Sequence, residues 1–129
     1  MRIVKNIWFE RFARKERITD AMLRKAIQAA EQGLIDADLG GGVIKQRIAR
    51  PRQGKSGGYR SIILFKSGDR ALFVYGFAKS DQDNISAREI QAFRTLATHF
   101  LAMSDAQLMQ AIESNDWQEV RIDDENLSD

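Results

Sequence analysis

The sequence predicts an α+β domain, a small and mostly antiparallel sheet with helices from the N-terminal and C-terminal parts of the chain packed on it. Three observations carry this reading. Helix-spaced apolar stripes preceded by capping residues lie near both ends of the chain, at 20–32 and from Ser86 onward. Between them lie three strand-like runs, 43–49, 59–66 and 71–78. The last two runs are joined by Ser67-Gly68-Asp69-Arg70, a hairpin-turn sequence that makes the pair antiparallel.

Taken in order, Ile3, Val4, Ile7 and Trp8 suit a short strand, after which Phe9 and Phe12 give an apolar side to a helix at 9–15. Thr19 and Asp20 are N-cap residues for a helix to Gln32, with Met22, Leu23, Ala26, Ile27 and Ala30 on one face and Gly33 as its stop. The segment Asp38-Leu39-Gly40-Gly41-Gly42 precedes a strand and not a helix. It lacks the geometry in which a helix N-terminus cradles phosphate, and reads as a tight connection needing positive φ. Ser86 with Glu89 forms a capping box, and Ile90, Phe93, Leu96, Ala97, Phe100 and Leu101 follow on one stripe. Ser104 with Gln107 repeats the box before Leu108, Met109 and Ile112, which predicts a short further helix. Beyond Asp116 the chain is acidic with little apolar periodicity. The expected organisation is therefore one domain over residues 1–112 and an acidic, poorly ordered tail over 113–129.

Composition narrows the function classes. The chain has 129 residues, is 43% hydrophobic and 29% charged, and contains no cysteine, which suits one ordinary globular core and removes disulfides, thiol nucleophiles and thiolate zinc sites. Its longest apolar run, 71–78, is far shorter than the roughly 20 residues of a membrane span, and the expectation is a soluble cytoplasmic protein with no membrane contact. The net charge of +2 hides a division: residues 1–112 carry +8 and residues 113–129 carry −6. From Leu39 to Gly68 there is no acidic residue, while Lys45, Arg47, Arg50, Arg52, Lys55, Arg60 and Lys66 are all basic. Such clustering is either an electrostatic footprint for a polyanion or a solvated basic edge that keeps sheets apart.

Strand parity sharpens this. Lys45 and Arg47 project from one face of their strand, opposite Ile44, Gln46 and Ile48. Arg60 shares a face with Ile62 and Leu64, and Tyr59 with Ser61, Ile63 and Phe65. In Gly54-Lys55-Ser56-Gly57-Gly58-Tyr59-Arg60 a flexible backbone is interleaved with cations and a ring, a pattern that lets a nucleic-acid strand approach closely, with Tyr59 as a stacking face. Lys79 follows the third strand directly and Asn84 precedes the capped helix, so both fall at the same end of the sheet.

These segments carry a resemblance. Residues 38–47, then 54–60, then Phe73-Val74-Tyr75-Gly76-Phe77-Ala78-Lys79-Ser80 with Asp83-Asn84-Ile85, are similar in kind and order to the RelE/HigB-type toxins of prokaryotic toxin–antitoxin systems, most of all the HigB-like branch. The resemblance spans about residues 9–100 and implies a RelE-like fold with helices on a curved antiparallel sheet. It also implies an endoribonuclease that cuts mRNA on the ribosome and a cognate antitoxin, of helix-turn-helix type, as partner. By motif it implies Arg60 as stabiliser of the scissile phosphate, Lys79 as a second phosphate contact or proton donor, Lys55 as a substrate-orienting cation and Asn84 as an orienting amide. Lys45, Arg47, Arg50, Arg52 and Tyr59 would hold messenger or ribosomal RNA. Related ParE-type toxins, which inhibit DNA gyrase, and a noncatalytic RNA-binding module are the alternative readings.

The sequence departs from the family's pattern in one respect: no tyrosine follows Tyr75, so the usual C-terminal acid or base has no equivalent. An unperturbed lysine near 10.4 is a poor base, so Lys79 would serve only with a depressed pKa. His99 reads as packing or helix-end chemistry, with Tyr59 and Tyr75 as weaker candidates. Asp81 and Asp83 read as groups that orient basic side chains. With no second acidic cluster, neither metal nor cofactor is predicted.

Overall fold

The computed structural model describes residues 1–50, 57–81 and 84–121. Within them the order is β1 (Arg2–Asn6), α1 (Ile7–Glu16), α2 (Asp20–Glu31), β2 (Ala37–Gly40), β3 (Val43–Ile48), β4 (Tyr59–Lys66), β5 (Arg70–Ala78), α3 (Ala87–Ala102), α4 (Asp105–Glu113) and β6 (Trp117–Glu119). The sheet runs β2-β3-β4-β5-β1-β6. Every neighbouring pair is antiparallel except β1 and β5, which are parallel. This is the predicted α+β class, with one parallel rung where the chain returns to the sheet.

Both faces of the sheet are covered, and strand alternation decides which residue faces which helices. On one face Ile3, Ile44, Ile48, Tyr59, Ile63 and Phe73 pack with Phe9, Leu23 and Ile27 of α1 and α2. On the other, Val4, Val43, Ile62, Leu64, Leu72 and Phe77 pack with Ala97 and Phe100 of α3 and Leu108 of α4. Thr19, Ser86 and Ser104 each accept a hydrogen bond from the backbone N–H three residues on, so α2, α3 and α4 start where their capping residues predicted. The stop is equally local at Gly33, whose φ is +84. The glycine run at 40–42, all at positive φ, closes the β2–β3 hairpin, consistent with its reading as a tight connection.

Three elements differ from the sequence expectation. Ile7 and Trp8 belong to α1 and not to a strand: the Asn6 side chain accepts from Phe9 N at 2.7 Å and starts the helix there, leaving both apolar side chains largely exposed. Leu96, placed on the buried stripe of α3, is 40% exposed. The chain after residue 113 also does not leave the fold. β6 pairs with β1, Val120 is buried, and the Arg121 N–H donates to Asp20 while its carbonyl accepts from Arg24. Two apolar residues, Trp117 and Val120, suffice because β1 supplies the ladder. Residues 122–129, the rest of the expected tail, lie outside the described residues.

Two buried cations hold elements together. Lys5 donates to Asp20 and pairs with Glu10, both at 2.9 Å, tying β1 to α1 and α2. Burial alone would lower the Lys5 pKa, but its hydrogen bonds to Asp20 and Glu10 and their charges outweigh this and hold it above its usual value. Glu10 is likewise moved up by burial and, more strongly, down by Lys5 and Arg14, and ends below the usual carboxylate range. Arg70, 4% exposed, donates to the carbonyls of Phe100 and Met103 and so satisfies the C-terminal end of α3.

Candidate functional site

α3 begins at Ala87 and covers only part of its face of the sheet. At the end where β3 stops and β4 starts, positions that are apolar further along become cationic. β3 runs from buried Val43 to partly buried Lys45 and Arg47, and β4 from buried Leu64 and Ile62 to partly buried Arg60. The three cations share the parity of the α3-facing core, as strand alternation predicted.

Register brings two of them face to face. Arg47 pairs directly with Arg60, Lys45 with Ile62, and Arg60 on its other side with Phe77. Directly opposed side chains on one face have Cβ atoms about 4.5–5.5 Å apart, and like charges there cost stability. The Arg60 Nη1 is moreover buried without a hydrogen-bond partner among the described residues, a state that costs free energy until an acceptor arrives. Lys79 occupies the turn after β5, closed by the Asp81 N–H donating to the Ala78 carbonyl at 2.9 Å, and is exposed at the same sheet end. The Asn84 Oδ1 accepts from Ile85 N at 2.9 Å and from Lys45 Nζ at 3.4 Å, so Asn84 positions Lys45 while Ile85 anchors the entry to α3. Lys45, Arg47, Arg60, Lys79 and Asn84 thus gather at one end of the sheet.

The remaining predicted residues divide differently. Tyr59 is 1% exposed and faces α1. Its ring meets Phe12 edge-on and its hydroxyl donates to Glu16 Oε1 at 3.0 Å, so it offers no stacking face to RNA. Burial, the Glu16 hydrogen bond and the Glu16 charge push its pKa up, against a smaller opposing effect of Arg50. The phenol is therefore a poor base at neutral pH. Arg50 follows Tyr59 to that other face, its guanidinium 5.2 Å from the ring centroid. Gly58 is buried because a Cβ there would stand 2.7 Å from the Ile48 carbonyl and 3.3 Å from Arg47 Nε. Its lack of a side chain admits β3 and Arg47, while Gly54 and Ser56 of the same glycine-rich pattern lie outside the described residues. Arg52 and Lys55, with Asp83, lie outside the described residues.

His99 sits in the last turn of α3, exposed, about 18 Å along the helix from its start at 1.5 Å per residue. It lines a groove of about 750 Å³ with Met103, Gln107 and Asp116, consistent with helix-end chemistry and remote from Arg60. The Tyr75 ring lies 4.6 Å from Trp8 and 6.2 Å from Phe93, inside an aromatic stack. Among the described residues no group of three His, Cys, Asp or Glu side chains is placed to hold a metal, and no helix is long and apolar enough to cross a membrane.

Sequence reasoning missed the Lys5–Glu10–Asp20 cluster, although Lys5 shares the inward parity of Ile3 on a strand apolar on both sides. It also missed the cleft beside Tyr59, which no local signal marks.

The comparison with curated proteins gives no match. The family model described as the RelE toxin of the RelE/RelB toxin–antitoxin system matches residues 1–120, which includes β6. With this match over nearly its whole length, and with the six-stranded α+β architecture above, the chain belongs to the RelE toxin family of toxin–antitoxin systems.

Proposed function

We propose that the protein is a ribosome-dependent, metal-independent mRNA endoribonuclease, the toxin of a pair whose antitoxin is of helix-turn-helix type and covers the basic sheet end. It acts in the cytoplasm, where its substrate is translated. The observation that carries the reading is Arg60 Nη1, buried and without a hydrogen-bond partner among the described residues, on a rung it shares with Arg47. A buried donor left without an acceptor costs free energy that a bound phosphate oxygen would recover.

In the proposed reaction the 2′-hydroxyl of the substrate ribose loses its proton to solvent water and its oxygen attacks the adjacent phosphorus in line. The bond to the 5′-oxygen breaks, leaving a 2′,3′-cyclic phosphate on one fragment and a 5′-hydroxyl on the other. Arg60 donates to the phosphorane oxygens, where preorganised donors act most strongly. Lys79 contacts the same phosphate and donates a proton to the leaving oxygen. Lys45, held by Asn84, and Arg47 grip the flanking backbone, and the family resemblance assigns Lys55 to orienting the substrate. Tyr59 supplies no base, since its proton is committed to Glu16. Geometry imposed by the ribosome then carries much of the barrier.

The test is induced expression of wild type and Arg60→Ala with mapping of 5′ ends on translated transcripts. Cuts on translated messages that depend on Arg60 and are far slower on naked RNA fit the reading, and the slow residual cutting of naked RNA is expected to persist in EDTA. Equal cutting of naked RNA removes the ribosome from it. Inhibition of supercoiling without any cut replaces it with the ParE-type reading.

A further inference from the structure

Backbone conformation requires glycine at Gly33, Gly40, Gly41, Gly42 and Gly68, all of which have positive φ. Gly58 is not among them, so its backbone would accept a side chain and the surroundings are what exclude one. A Cβ there would stand 2.7 Å from the Ile48 carbonyl oxygen and 3.3 Å from Arg47 Nε. Gly58 directly precedes β4, at the end of the sheet where β3 stops. Two residues before Arg60, it has the parity of Arg60 and so belongs to the α3-facing side. Arg47 starts from the rung it shares with Arg60. With Nε over Gly58, its side chain leans along the sheet past that rung and carries the guanidinium toward the open end. Gly76, also outside the left-handed region, meets only the rings of Phe12 and Phe9 and serves packing. Gly58 instead meets a charged side chain of the site.

We propose that Gly58 is a positioning residue: its bare backbone is a shelf that lets Arg47 lie flat along the sheet, and so fixes where that guanidinium meets the phosphate flanking the scissile one. The inference rests on the nuclease reading, in which Arg47 grips the flanking backbone, and adds to it the residue that aims the grip. An arginine free to choose among rotamers loses that freedom when it binds a phosphate, whereas one laid down beforehand loses less. A methyl group at position 58 removes the shelf. The backbone there and the Ile48 carbonyl must part, and Arg47 must lift or turn, which displaces its donors while Lys45 stays tied to Asn84. Every charge of the protein is still present, so a fall in the salt dependence of RNA binding reports a lost phosphate contact and not a lost cation.

The test is a double-mutant cycle of Gly58→Ala and Arg47→Gln in the full chain, read as affinity for a labelled oligouridine across salt concentrations. Each single substitution is expected to weaken binding roughly threefold and to lower the salt slope by about 0.7, the value of one single-strand phosphate contact. The double variant is expected to bind as Arg47→Gln does. Gly58→Ala also lowers the thermal midpoint through the Ile48 carbonyl in both backgrounds, so binding is measured well below it. In the wild-type chain, where no variant has to fold, NMR is expected to show a nuclear Overhauser contact between the Gly58 Hα protons and the Arg47 Nε–H with oligouridine bound. Absence of that contact, no salt-dependent binding by the wild type, unchanged binding in Gly58→Ala, or a Gly58→Ala loss that persists undiminished in the Arg47→Gln background overturns the inference and leaves the nuclease reading to its own test. Coupled loss of binding in a protein that cuts no translated message supports the positioning role and overturns the nuclease.

Discussion

Arg60→Gln separates function from stability in a direction that few substitutions of a half-buried residue would. Its side chain opposes Arg47 across β3 and β4, and Nη1 is buried without a partner among the described residues. If Arg60 contacts the phosphorane, its loss costs about 3 kcal/mol of transition-state stabilisation, close to a hundredfold in cleavage rate. The folded protein, by contrast, loses no hydrogen bond at Nη1 and is relieved of a buried donor without an acceptor, a gain of roughly 1 kcal/mol at most, while Gln keeps most of the packed stem. The thermal midpoint is therefore expected to hold or to rise by up to about 4 °C for a domain of this size. Single-turnover cleavage of ribosome-bound message and a calorimetric scan read the two effects. A midpoint several degrees lower, with activity falling only as the folded fraction falls, would make Arg60 a structural residue and refute the reasoning.

The other predictions concern the frame that holds the site. Lys5→Met leaves the partly buried carboxylates of Glu10 and Asp20 close together, Glu10 keeping only Arg14, and urea unfolding should show a loss of about 1–3 kcal/mol. Stability should be flat between about pH 5 and 10. The lowered Glu10 contributes above its unfolded pKa, and that contribution is lost as acid titrates through its folded value. The raised Lys5 and Tyr59 contribute below theirs and are lost in alkali. Unfolding midpoints across pH test this, and Glu10→Gln should flatten the acid limb. Gly76→Ala would place a Cβ 2.6 Å from Phe12 Cε2 and 3.1 Å from Phe9 Cε2, an overpacking expected to cost about 1–3 kcal/mol in the same assay.

What could be read in advance was what local chemistry determines. The capping boxes at Ser86 and Ser104 place the starts of α3 and α4, and alternation places Lys45 and Arg47 on one face and Arg60 with Ile62 and Leu64. Asn6 shows the limit of apolar pattern alone: Ile7 and Trp8 look like strand until the Asn6 side chain is seen to accept from Phe9 N. β6 was illegible because its ladder comes from β1, more than a hundred residues earlier. The site divided along the same line. Parity shows that Tyr59 and Arg60 face opposite ways. Which side α1 would close depends on how the helices dock, and that docking buries Tyr59 on Glu16 and carries Arg50 away from the other cations.

The placement of the basic cluster follows from where α3 ends its cover. Along β3 the α3-facing positions pass from Val43 to Lys45 and Arg47, and along β4 from Leu64 through Ile62 to Arg60. The same rungs thus serve as core beneath the helix and as site beyond it. On β3 and β4 this confines the electrostatic cost to the last rungs of that face, while Arg70, beneath Phe100 at the other end of the sheet, is met by the carbonyls that end α3. It also mounts the cations on paired strands instead of a loop, which restrains their backbone. An equal cluster under Phe100 would carry the desolvation of several charges. If the cluster grips a phosphate chain as proposed, a sheet end only partly covered by its helix supplies both fixed donors and open access.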